Sequence, residues 1–421
     1  MDDSGLRVRL DFPGASIGRV EWRGAQLRAE LRREALVEAD GFRYDYNRHF
    51  AFGVSNSSGT DAEVAVRIGC ESPENLPGHP PLLWTSASPD RDFLPASLRG
   101  RADTYGRYSF LIPVGSGETV YVANWPFRPF DGIRRLFDQL AVDGGAKREI
   151  FGRTVDGRDL VGYHFGQGTR PTVLVTSGFH PPEGDTVGSE GVMEYLSRER
   201  RSSLRNHFDW YVVPVANPDG YVRGFNGCNA NELNFYWQFL ENDHDRCPEA
   251  YYLWRLVERL TPVLYFDFHA YTFQAHRKFA GPYVKPAALY RDRNVRRLVR
   301  AIDADLISLS GGHFTEGALT YAPSTLARKI TSRFNTITYA KYHLRMADGT
   351  ERSKDLAVAC VLAAASRLAQ HFPESRDILR RPHGRVGADA VAALAGVLID
   401  AWGVRLRPAL GRVRRRVPGW P

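Results

Sequence analysis

The chain is poor in sulfur, with four cysteines (Cys70, Cys228, Cys247, Cys360) and three methionines in 421 residues. No two cysteines form a CxxC pairing, which argues against a closed thiolate zinc site and against a disulfide-stapled secreted domain. Few, unpatterned cysteines fit a reducing compartment, and a cytoplasmic protein is expected. No apolar run approaches the ~20 residues needed to span a bilayer. The N-terminus, MDDSGLRVRLDF, lacks the charged-then-apolar order of a signal peptide. Internal repeats and low-complexity tracts are absent too. What is present is 43% hydrophobic content, enough for two domains with cores of their own.

Basic charge is scarcer than the total suggests. The net charge is +8, but residues 376–421 hold ten Arg against three Asp, which leaves about +1 for residues 1–375. The body is therefore not a basic protein, and no nucleic-acid partner is expected. The tail pairs an apolar stretch, DAVAALAGVLIDAW (389–402), with RLRPALGRVRRRVPGW. It reads as a helix on the body with a solvated basic end, or as a segment that contacts a partner or a membrane surface.

Residues 1–130 read as a small β-sandwich. Alternating segments such as HFAFGVSN, AEVAVRIG and RYSFLIPV are separated by Gly, Pro, Ser and Asn clusters. From 131 to 375 strands alternate with helices: FDGIRRLFDQLAV, VLVTSG, VGSEGVMEYLSRE, DWYVVPV, PEAYYLWRLVERL, VLYFDF and RNVRRLVRAIDADLISLS. That order predicts an α/β domain with a mixed, mainly parallel sheet. A helix over 352–372 closes it, and 376–421 forms a C-terminal helix and basic tail.

Two of the apolar strands lead to metal-ligand residue types. VLVTSGFHPPEGD delivers His180 and Glu183, and VLYFDFHAY delivers Asp267 and His269. Two histidines and a carboxylate at strand exits are the three-ligand set of a catalytic zinc, with a fourth position open. Such residues would sit at the carboxyl edge of the sheet, where open α/β sheets bind ligands. One Zn2+ per chain is expected.

Five motifs in order resemble the zinc carboxypeptidase family: FGRTVDGRDL (151–160), His180-Pro-Pro-Glu183, Asn217-Pro-Asp-Gly220, Glu232-Leu-Asn234 and Asp267-Phe-His269. The stretch YSFLIPVGSGETVYVANWPFRPF (108–130) is similar to the end of the β-domain in the cytosolic carboxypeptidase branch, whose members trim glutamates from protein tails. The resemblance implies a metallopeptidase in which zinc-bound water attacks a peptide or amide bond, a carboxylate serves as base, and arginines grip the substrate's terminal carboxylate. Asn217-Pro-Asp-Gly220 reads mainly as a strand-exit turn. Asp267 resembles the family's acid at this place, which orients a metal ligand from behind. Tyr271 resembles an aromatic lining of the cleft, and a packing role is equally open.

Three positions depart from that pattern. In Asn335-Thr-Ile-Thr338-Tyr339-Ala340-Lys341, alanine stands at the place of the family's catalytic glutamate. Phe235 replaces the arginine that follows Asn234 in the carboxylate grip. Arg223 lies near, but early for, the carbonyl-polarising arginine. Three readings stay open: a carboxypeptidase impaired at position 340, gripping substrate through Asn234 with Arg223, Arg328 or Arg333; a zinc amidohydrolase acting on substrates without a free C-terminus, with another base such as Glu316; and a non-catalytic zinc- or peptide-binding relative.

Overall fold

The computed structural model describes residues 5–35, 37–39, 42–44, 49–69, 82–98, 101–102, 107–271, 283–284, 290, 292–309, 325–346 and 349–380. The N-terminal part is built from short strands: β1 (Leu6–Arg9), β2 (Val20–Arg23), β3 (Gln26–Glu30), β4 (Val37–Ala39), β5 (Phe42–Tyr44) and β6 (Ala51–Asn56). It continues with β7 (Ala62–Gly69), β8 (Trp84–Ser86), β9 (Leu94–Pro95), β10 (Arg101–Ala102), β11 (Tyr108–Val114) and β12 (Thr119–Ala123). Two five-stranded sheets result, in the orders β1-β6-β12-β8-β9 and β10-β11-β7-β3-β2. Alternation decides what they bury. Val64, Val66 and Ile68 on β7 face inward with Phe110, Ile112 and Val114 on β11, and join Phe50, Phe52 and Val54 in one core. Burying each such side chain contributes about 1.5–3 kcal/mol before the cost of ordering it.

The second part begins with α1 (Phe130–Gly144), stopped by left-handed Gly145. There follow β13 (Lys147–Arg153), β14 (Asp159–Phe165), β15 (Thr172–Thr176), α2 (Thr186–Arg198), α3 (Ser203–His207) and β16 (Asp209–Val213). Next come α4 (Pro218–Arg223), α5 (Pro248–Leu260), β17 (Leu264–Tyr271), β18 (Tyr283–Val284) and α6 (Arg293–Leu309). The last elements are α7 (Leu326–Arg333), β19 (Ile337–Arg345) and α8 (Thr350–Arg380). The sheet order is β13-β14-β16-β15-β17-β19-β18. Its four central strands are parallel and its flanking pairs antiparallel, so the sheet is mixed.

β15 and β16 are buried at every residue, as strands covered on both faces must be. Helices α1, α2, α6 and α8 cover one face, and α5 and α7 the other. The closing helix runs beyond the expected 352–372, continuing through Pro373 to Arg380 and across the boundary placed at 375. A proline deletes one helical hydrogen bond, and here the turns on either side remain helical.

The two parts share a seam. Phe12, Trp84, Tyr121, Trp125 and Phe127, on or beside the first sheet, belong to the same core as α1 and α2. Arg128 bridges the parts, donating to Asp92 at 2.8 Å and to buried Glu190 on α2 at 2.6 Å. His49 is buried against Trp125 and hydrogen-bonded through Nδ1 to the Asn226 side chain. Burial pushes its imidazole down to about 3, against the opposing pull of the Asn226 bond. Below pH ~6.5 the unfolded chain binds a proton there that the folded chain refuses until about pH 3, so stability falls as pH drops through that window. Replacing the imidazole should flatten the slope: between pH 7 and 5, His49→Gln should lose about 2 kcal/mol less than the unmodified chain in denaturant unfolding. Identical pH slopes for the two chains would refute the assignment.

Candidate metal centre

His180 precedes Pro181, and the residue before a proline is steered away from the helical region; His180 is indeed extended, at φ −115° and ψ 93°. Pro181 and Pro182 then open a single 3-10 turn, Pro181–Glu183. Three residues per turn bring residue i+3 back over residue i, so Glu183 faces His180. Their side chains lie 3.2 Å apart, His180 Nδ1 to Glu183 Oε1. Asp185 anchors the loop by accepting from Gly178 N at 2.9 Å. Gly178 has φ +69° and no room for a side chain: a Cβ would stand 2.7 Å from Val215 Cα.

The third member comes from β17. Tyr265, Asp267 and His269 alternate onto one face of the strand, while Leu264, Phe266, Phe268 and Ala270 enter the core on the other. His269 Nδ1 lies 2.9 Å from Glu183 Oε2 and 3.3 Å from His180 Nδ1. Ligand atoms of His180, Glu183 and His269 all fall within 4.8 Å of one another. Behind them, Asp267 Oδ2 engages His269 Nε2 at 3.1 Å, and Thr176 Oγ1 donates to Asp267 Oδ1 at 3.0 Å. With Nε2 committed to Asp267, Nδ1 is the nitrogen offered to a metal.

The charges agree with that geometry. Burial alone would raise Glu183, yet His269 and His180 hold it well below the usual carboxylate range. Burial would lower His269, but Asp267 and Glu183 outweigh it and raise the imidazole to about 10. A cation at this point would displace that proton and take over its role between two carboxylates. Two buried imidazoles and one half-buried carboxylate, converging on one point, fit a zinc ion by donor type and by spacing.

The NPDG segment does more than turn the chain. Asn217 caps α4 through Gly220 N, and its Nδ2 donates to the carbonyls of Phe179 (3.3 Å), Gly227 (3.4 Å) and Cys228 (3.0 Å). Asp219 accepts from Thr154 Oγ1, Asp156 N and Arg158 Nη1, holding the 151–160 hairpin. Both are fully buried. The motif thus ties the exit of β15 to the loop after α4.

The other candidates are dispersed. Asn234 is buried beside His180, its amide without a hydrogen-bond partner among the described residues. Phe235 is wholly buried, its ring 5.4 Å from that of Phe179. Arg223, partly exposed at the end of α4, grips Asp156 with two bonds of 2.9 and 2.6 Å. Arg328 is half-buried on α7, and Arg333 exposed in its last turn. Tyr271 is the last residue of β17.

Ala340, on β19, pairs with Tyr283 of β18. The register runs Phe266↔Tyr339 and then Phe268↔Tyr342, so Ala340 and Lys341 together oppose Asp267. Tyr339 turns to the helical side, stacking on Phe266 and donating to Asp303 at 3.1 Å. Glu316, Cys70 and residues 381–421 lie outside the described residues. Thr176, Asp185 and Gly227 were not picked out from sequence; two small polar residues and a glycine show their role only once the loops meet.

Residues 143–250 match the profile of the family described as Peptidase_M14, zinc carboxypeptidase. The chain resembles the zinc carboxypeptidases. Cytosolic carboxypeptidase 1 of Xenopus laevis is 29% identical over 154 residues, 34% of this chain and 12% of that protein. An uncharacterized protein of Zymomonas mobilis is 30% identical over 256 residues, 58% of this chain and 62% of that one. The matches thus span about a tenth of the cytosolic carboxypeptidases and under two thirds of the bacterial protein. Among solved structures, a metallo-carboxypeptidase from Burkholderia cenocepacia superposes with a TM-score of 0.69 at 17% identity, over 87% of this chain and 99% of that one. One from Pseudomonas aeruginosa gives 0.67 at 18% identity, over 87% and 99%. The chain therefore shares the fold of these metallo-carboxypeptidases over 87% of its length.

The Asp267 bond supplies a direct test. Asp267→Asn should lower zinc affinity about 10–100-fold in a folded protein, read by competition with a chromophoric chelator. Unchanged affinity would show that His269 needs no such support.

Proposed function

We propose that the chain is a zinc-dependent hydrolase of peptide or amide bonds, of carboxypeptidase type, and that it is impaired as it stands. One Zn2+ per chain would be held by His180, Glu183 and His269. The convergence of these three side chains on one point carries the reading. Zinc, when bound, polarises a carbonyl and makes water acidic enough to attack at neutral pH. Asp267 keeps the His269 ring turned so that Nδ1 faces the site. Asn234 offers a buried donor and acceptor beside His180, suited to a substrate amide or carboxylate. No nucleic-acid partner enters this reading, and cysteine usage supports a cytoplasmic location. Among the described residues no helix is long and apolar enough to cross a membrane.

Ala340 is the reason for impairment, because a methyl group moves no proton. The two-against-one register at Asp267 marks a local bulge, a feature that re-aims side chains at functional edges. Without a general base, about 10²–10⁴-fold of rate is missing. Ala340→Glu should restore hydrolysis of a peptide amide by a factor in that range without altering zinc content, while His180→Ala should lose the zinc. Full zinc retention in His180→Ala would sink the site, and an inert Ala340→Glu would sink the assignment of the base.

A second reading is favoured by the arginines. Arg223 is engaged by Asp156, and Phe235 is a core residue, so neither is set to grip a terminal carboxylate. The substrate would then be an amide without a free C-terminus. Tested on Ala340→Glu, blocked amides should be cleaved at least as well as free C-terminal peptides. Strong preference for free C-termini, undiminished when Arg223, Arg328 and Arg333 are replaced, would exclude this reading.

A further inference from the structure

The backbone behind His180, against the Cδ2 side of its ring, is held by the sandwich. Gly227 approaches the site so closely that a Cβ would stand 2.9 Å from His180 Cδ2 and 2.4 Å from Asn234 Nδ2. From inside, Asn217 binds the carbonyls of Gly227 and Cys228. From outside, the holder is Glu34, on the segment that follows β3 of the sandwich. Its Oε1 accepts from Asn226 N and from Asn226 Nδ2 (2.6 Å), and its Oε2 from Gly227 N (3.2 Å) and Cys228 N (3.3 Å). Three successive backbone N–H groups converging on one carboxylate form an anion nest, filled here by a side chain of the chain itself.

The neighbouring contacts brace the same loop. Arg32 lies over the Phe225 ring at 4.3 Å and donates to Arg223 O, and His49 binds the Asn226 side chain. Gly224, with φ +67°, passes so close to Ala15 that a Cβ would meet its carbonyl oxygen at 2.1 Å. Residues 223–228 are thus clamped by the sandwich along their length, and the clamp reaches the backbone against which His180 rests.

We propose that Glu34 is a positioning residue for the metal centre: by gathering the N–H groups of 226–228 it sets the backbone wall that fixes His180 and Asn234. This rests on the metal reading above. Losing the carboxylate would leave four donors, three of them backbone N–H groups, without this acceptor, free to let Gly227 recede from His180. Glu34→Gln keeps the size and one acceptor oxygen but turns an amide NH2 toward Gly227 N and Cys228 N, so it separates position from mere bulk.

The full chain is loaded with Co2+, and the visible ligand-field spectrum is recorded where circular dichroism shows each variant folded; Zn2+ affinity is taken from chelator competition. Glu34→Gln and Glu34→Ala should each shift the cobalt spectrum and weaken Zn2+ binding about tenfold, the alanine more. Should the alanine variant not fold, Glu34→Gln decides. A folded Glu34→Gln with the spectrum and affinity of the unmodified chain would overturn the proposal while leaving the metal reading intact. Failure of the unmodified chain to bind Co2+ would overturn that reading and this proposal together.

Discussion

One carboxylate between two buried imidazoles is the interaction on which the functional half of this protein depends. Glu183, half-buried, lies within hydrogen-bonding reach of both His180 and His269, and the two imidazoles are removed from bulk water. Concentrating such groups in a low-dielectric interior is costly unless each is paired. The surroundings supply the pairs. Asp267 takes the far nitrogen of His269, Thr176 takes the far oxygen of Asp267, and Ala270 N donates to Glu183 at 3.2 Å. A metal cation fits this constellation because it would supply the positive charge that the His269 proton supplies in its absence.

Holding the ligands imposes demands on backbone that regular structure does not meet. His180 sits beyond the end of β15, in a loop secured by two prolines, by Asp185 and by Asn217. The buried polar residues of the NPDG motif carry this load twice over, since Asp219 fastens the 151–160 hairpin to the same short helix. Stability and site geometry are coupled here: substitutions at Asn217 or Asp219 would disturb both together.

The sandwich is part of that framework. Its aromatic outer face merges with the core beneath α1 and α2, and its Glu34, His49 and Ala15 reach the loop that backs His180. An α/β domain cut free at residue 131 would lose the outer support of residues 223–228. The loop that backs His180 is thus held by a residue of the sandwich 192 positions away in sequence.

Much was legible in the residues alone. Period-two and helical patterns outlined the sandwich and the α/β order, and α5 coincides with PEAYYLWRLVERL. The placing of His180, Glu183 and His269 at the exits of two apolar strands was legible too, because a short apolar run that ends in polar and turn-forming residues marks a strand end. The continuation of α8 through Pro373 was not legible, since flanking turns outweighed one lost bond. Nor was the burial of Phe235 or the pairing of Arg223 with Asp156, because a side chain's partner across the fold leaves no local trace. The bulge opposite Asp267 is likewise tertiary: it arises from how two strands far apart in sequence meet, and strand alternation cannot be extended across it. Residue types and their neighbours determined which groups could bind a metal; only the packing of loops against the sandwich decided what holds them there.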